Sequence, residues 1–84
     1  MINKEILKKQ IVYRSTHRGS KEMDVLLGKF VKKYINDFDE DDLINIDKLV
    51  LIEDEILYRW YFYNISSSKI TPNKVSKMLK KFNL

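Results

Sequence analysis

Apolar positions recur along this chain with the spacing of amphipathic helices. Over residues 20–36 they fall at Met23, Leu26, Leu27, Phe30, Val31 and Tyr34, a three-and-four-residue rhythm that gathers one stripe on a helix. Lys21, Lys29, Lys32 and Lys33 take the opposite face. Residues 3–15 place Ile6, Leu7, Gln10, Ile11 and Tyr13 between lysines and predict an earlier helix. Gly19 lies between the two, where a helix C-terminus and a chain reversal fit. The acidic residues 36–42 read as a loop feeding a third helix over about residues 41–52, because carboxylates accept the unpaired N–H groups of a helix start and favour the positive end of its dipole. A fourth helix is expected over about residues 54–64, bearing Leu57, Trp60 and Tyr61. After the polar loop 65–69, Thr71-Pro72 predicts a last helix with threonine as N-cap and proline at the first helical position. Val75, Met78, Leu79 and Phe82 form its apolar stripe.

The aromatic run at 57–63 has the composition of a strand, but no second convincing strand is present to pair with it. The expected fold is therefore all-α: a single domain, residues 1–84, made of about five short helices. Its expected core is Met23, Leu26, Leu27, Phe30, Leu49, Leu57, Trp60, Val75, Met78 and Leu79.

A domain of 84 residues buries about 60–65% of the surface its unfolded chain exposes, so one core is the limit. The absence of cysteine removes disulfides, thiolate nucleophiles and cysteine-held metals, and one histidine cannot build a histidine-rich metal site. Two glycines cannot form a Walker or dinucleotide phosphate loop. Apolar runs are short, Leu49-Val50-Leu51-Ile52 among the longest, well below the roughly 20 residues of a membrane span. Nor does the N-terminus show the apolar core of a signal peptide. The expected compartment is the cytoplasm of a bacterium, with no membrane insertion. Net charge is +4, but residues 37–55 hold nine of the twelve acids while residues 56–84 hold none. Such a mixed surface fits protein partners better than a uniform nucleic-acid footprint.

The chemistry concentrates in Tyr13-Arg14-Ser15-Thr16-His17-Arg18-Gly19-Ser20-Lys21-Glu22-Met23-Asp24. Two of the three arginines cluster where a helix gives way to a turn, and arginine is the residue of planar, bidentate recognition. A purely structural account stands beside this: Arg18 pairs with Glu22, Glu22 and Asp24 answer the helix dipole, and Gly19 caps the preceding helix. His17 is expected to be an inert exposed histidine. The acids at 37–42 lack the glycine and closing glutamate of a calcium loop and read as a helix cap. Trp60, Tyr61 and Phe62 cannot all face one core on a short helix. Core packing is the simpler account for them, and one exposed ring would suit an interface. Lys74, Lys77, Lys80 and Lys81 read as a solvated face.

Arg18-Gly19-Ser20-Lys21-Glu22 resembles the RGxxE motif of the SdhE (YgfY) flavinylation factors. Tyr13-Arg14-Ser15 before it, Met23-Asp24-Val25 after it and Leu57-Tyr58-Arg59-Trp60 further on resemble the same family, so the likeness covers essentially the whole chain. It implies an assembly factor and not an enzyme. Such a factor is expected to bind the flavoprotein subunit of succinate dehydrogenase and promote covalent attachment of FAD, through its 8α-methyl, to a histidine of that subunit. The chain itself is expected to hold no cofactor stably and to be a monomer. A fumarate reductase flavoprotein subunit as second client, and direct contact with FAD, are left open. Carried over by motif, Arg18, Gly19 and Glu22 are the expected partner-binding residues, accessible on one surface and dispensable for folding, with Arg14 and Asp24 flanking them. Departures are Ile56 and Glu55, where the family commonly has aspartate and proline and which bear on the fourth helix's cap, and His17, where arginine is frequent. The rival readings are an antitoxin-like or generic interaction module and, behind it, a basic nucleic-acid-binding helical domain.

Overall fold

Asn3 opens the first helix: its side-chain oxygen accepts from the backbone N–H of Glu5 and Ile6 at 3.1 and 3.2 Å. The computed structural model describes residues 3–83. Among them it holds five α-helices and no strand: α1 (Lys4–Thr16), α2 (Lys21–Tyr34), α3 (Glu40–Val50), α4 (Asp54–Tyr63) and α5 (Lys74–Lys81). The all-α expectation holds. A 3-10 turn, Ile35–Asp37, finishes the second segment, so the expected helix 20–36 ends early and tightens into a turn that buries Ile35.

Caps decide the boundaries. Ser20 caps α2, its hydroxyl accepting from the Met23 N–H at 3.4 Å. Asp39 and Asp42 form a reciprocal capping box, starting α3 at Glu40, one residue before the expected start. The acidic run thus acts as a helix cap. Among the described residues no three carboxylate or histidine groups converge as metal ligands. Helix α4 has Glu53 as N-cap with no side-chain bond, and Asn64 ends it in the left-handed conformation at φ 56°. The expected start of the last helix needs correction. Thr71 and Pro72 lie outside it; Asn73 is the cap, exchanging bonds with Ser76 at 2.9 Å in each direction. That reciprocal box satisfies two donors, whereas a threonine cap satisfies one.

Helix α2 is the spine of the core, with Met23, Leu26, Leu27 and Phe30 fully buried. Helix α1 packs along it and α3 packs along α1; together these two contribute Ile11, Leu43, Ile46, Leu49 and Val50, while α4 adds Leu57 and α5 adds Val75 and Leu79. Ile11, Val31, Ile35, Phe38, Leu43, Ile46, Val50 and Ile70 are buried beyond the expected core list. Trp60 and Met78 are only half-buried, which corrects that list in the other direction. Trp60 lies under the Lys80 ammonium, 4.8 Å from its ring centroid. Lys80 is therefore not a solvated lysine. It donates to the carbonyls of Trp60 and Tyr61 at the end of α4, and burial pushes its pKa below the ordinary value. Lys74 reaches Asp42 at 3.1 Å and ties α5 to α3.

Candidate functional site

Four helix ends meet around one buried ion pair, Arg18–Asp54. Arg18 follows α1 directly, and its side chain is only 9% exposed. Its Nε donates to Asp54 Oδ1 at 2.6 Å, at the start of α4. Its Nη1 donates to the carbonyls of Arg14, at 3.2 Å, and Val50, at the end of α3. Its Nη2 donates to the Ile52 carbonyl at 2.6 Å. A cation at the C-terminal ends of α1 and α3 and a carboxylate at the N-terminal end of α4 both lie where the helix dipoles favour them. The other oxygen of Asp54 accepts from the Ser20 N–H at 2.8 Å, which brings in the start of α2. Asp24 completes the arrangement by accepting from the Arg18 backbone N–H at 3.4 Å.

The expected interface residues therefore divide. Arg18 was expected to be accessible and dispensable for folding. Instead its side chain is buried among acceptors that only a planar, multi-donor group can serve together. Nor does it pair with Glu22: the turn at 17–20 separates them, and Asp54 takes the guanidinium. Arg14 is also bound internally, to Asp47 of α3 at 2.7 Å, and Asp24 is half-buried against the Arg18 backbone. Gly19 and Glu22 are exposed as expected. Gly19 does not cap α1, whose C-cap is His17, and its φ is not positive. A Cβ built there would meet only Asp54 Oδ2, at an ordinary 3.8 Å. The fold does not require glycine at 19, so what its missing side chain leaves open is the outer surface of the turn. His17 stacks on Tyr13 with ring centroids 3.9 Å apart, and its Nδ1 lies 2.8 Å from the Tyr13 carbonyl.

Asp54 and Asp47 are the partners that sequence reasoning missed. Each is one acid among many in the 37–55 block, and no local spacing relates it to an arginine more than thirty residues away. Also unanticipated is a groove of about 390 Å³ beside the turn, lined by Ser20, Asp54, Glu55, Tyr58, Arg59 and Tyr63. Glu22 does not line it but is joined to its edge, its carboxylate accepting from the hydroxyl of the lining residue Ser20 at 3.1 Å. The Tyr58 phenol titrates above its ordinary value of 10.0, held up first by Tyr63 beside it, then by partial burial, with the Glu22 charge adding to both.

Residues 9–83 match the model of a family described as the flavinator of succinate dehydrogenase. The chain belongs to that family. Relatives of this flavinator family include proteins named succinate dehydrogenase assembly factor 2, mitochondrial, from Scheffersomyces stipitis (38% identical, 90% of this chain, 52% of that protein) and Drosophila virilis (38%, 87% and 48%). A third, succinate dehydrogenase assembly factor 2-B, mitochondrial, from Drosophila willistoni, is 37% identical over 90% of this chain and 50% of its own length. The chain spans about half the length of these relatives, whose names carry a mitochondrial location and not the expected bacterial one. No solved structure matches it. Among the described residues, no helix of this family member is long and apolar enough to cross a membrane.

Proposed function

We propose that this chain is a non-catalytic assembly factor that binds the flavoprotein subunit of succinate dehydrogenase and promotes covalent attachment of FAD to it. One observation carries the reading to residue level: the turn at 17–20 is anchored from inside by Arg18, leaving Gly19 and Glu22 exposed. Gly19 lets partner backbone approach closely, and Glu22 meets a partner donor at the same edge. Arg18, Arg14 and Asp24 are positioning residues that hold this surface in shape. Attachment needs the flavin's methyl-bearing edge and the partner's histidine held in reactive geometry, and orientation alone can lower a barrier by several kcal/mol. The redox and bond-forming chemistry belongs to flavin and partner. No residue of this chain is assigned to hold FAD: Gly28 lies inside α2, where a Cβ would meet Thr16 at 3.5 Å, and Gly19 stands alone at its turn. A fumarate reductase flavoprotein subunit, built for the same cofactor chemistry, is the proposed second client, and the factor acts as a monomer.

The test is to mix apo-flavoprotein subunit with FAD, with and without the chain, and to read flavin fluorescence on the denatured subunit. More covalent flavin with the chain present is expected, and the purified chain alone should carry none. Equal yields, from a subunit shown to be competent for attachment, would refute the proposal.

A further inference from the structure

We propose that the groove beside the Gly19 turn, walled by Tyr58 and Tyr63 and edged by Glu22, receives an arginine side chain of the flavoprotein partner. This rests on the function proposed above and names the partner chemistry at the same surface. Tyr63 is 64% exposed and so leaves ring surface free for a partner. Tyr58 and Tyr63 both line the groove, with centroids 5.8 Å apart and planes inclined by 56°, so they do not stack flat on each other. Ring faces carry the negative end of the aromatic quadrupole and attract a cation.

The charges of the groove select the same guest. Both Asp54 oxygens are engaged, one by Arg18 and one by the Ser20 N–H. Arg59, the cation lining the groove, is held by Glu55 at 2.6 Å. Glu22 has only the Ser20 hydroxyl and makes no ion pair among the described residues. An anionic guest would face Glu22 and Glu55, and a neutral apolar one would leave the Glu22 carboxylate without a counter-charge. A guanidinium answers both features: its plane lies on a phenol face while its edge donates to a carboxylate. That the Glu22 charge is felt at the Tyr58 phenol supports their sharing one end of the groove.

The first experiment needs no flavoprotein. Titrating the isotope-labelled chain with N-acetyl-arginine amide should move the amide resonances of Ser20, Glu22, Tyr58 and Tyr63. The uncharged isostere N-acetyl-citrulline amide should leave them in place, and Tyr63→Ala should weaken the arginine response about two- to fivefold. The second experiment measures capture of the apo-flavoprotein subunit: Tyr63→Ala should weaken it by a similar factor, while Tyr63→Phe, which keeps the ring face, should bind like the parent. Citrulline shifts equal to those of arginine would overturn the proposal, as would arginine shifts equally strong at the acids of residues 37–41. So would Tyr63→Ala capturing the subunit as well as the parent does. A parent chain that captures no flavoprotein at all overturns the functional reading itself, a result distinguishable because the arginine titration is read on the chain alone.

Discussion

Replacing Arg18 with alanine should unfold much of this protein's stability margin, because the guanidinium is the joint between α1, α3 and α4. Truncation leaves Asp54 with only the Ser20 N–H, and it strips the donor from the carbonyls of Arg14, Val50 and Ile52. Removing one partner of a buried pair costs about 3–5 kcal/mol, mostly through the charge left behind. The low exposure of both partners, 9% and 18% at the side chain, places this pair in that class and not with surface pairs worth under about 1 kcal/mol. At the usual stability per residue, 84 residues hold about 4–13 kcal/mol in all, so the loss is a large fraction. For a domain of this size each kcal/mol moves Tm by about 4–8 °C, giving a fall of about 12–40 °C by calorimetry or circular dichroism. Arg18→Lys should fall between, since one ammonium cannot serve four acceptors on three elements. In a double-mutant cycle, Asp54→Asn should cost much less in the Arg18→Ala background than in the parent. Parent-like melting of Arg18→Ala would refute the reasoning and return Arg18 to the exposed interface residue the motif alone suggests.

Gly19→Val should fold with a Tm within a few degrees of the parent, because a Cβ at 19 meets nothing closer than 3.8 Å, yet lose capture of the flavoprotein subunit; equal capture in a pull-down would remove close approach from the account. Asn73→Ala should cost about 1 kcal/mol in denaturant unfolding, since Asn73 and not Thr71 caps α5, and Thr71→Ala should cost far less. In the folded protein Tyr58 holds its proton more tightly than in the unfolded chain, so the associated stability is fully present below pH 10.0 and lost as pH climbs through the raised folded value. Tyr63→Phe, removing the largest cause, should lower the Tyr58 midpoint more than Glu22→Gln does, as followed by carbon NMR of the tyrosine rings; an unchanged midpoint in Tyr63→Phe would show that the cause lies elsewhere.

The helices were legible in the sequence because their determinants are local. Apolar residues three and four apart in 20–36 specify a buried stripe whatever packs on it, and Met23, Leu26, Leu27 and Phe30 are fully buried as that pattern demands. The site was legible only as a motif: Gly19 and Glu22 are exposed, as its position on a turn implies. Where local signals compete, the sequence alone is ambiguous. Thr71-Pro72 and Asn73 through Ser76 are both acceptable helix starts, and the reciprocal bonds of the second prevail. Tertiary structure alone decided the fate of Arg18. Its carboxylate partner lies 36 residues away, and the carbonyls it serves become available only when α3 ends beside α1. The Glu22 pairing, attractive on helical spacing, fails because the turn intervenes. The tyrosine groove likewise exists only between two elements distant in the chain, the start of α2 and the outer face of α4. Periodicity records which side of a helix is buried, whereas the partner of a polar group on that side depends on which helix ends the fold brings together.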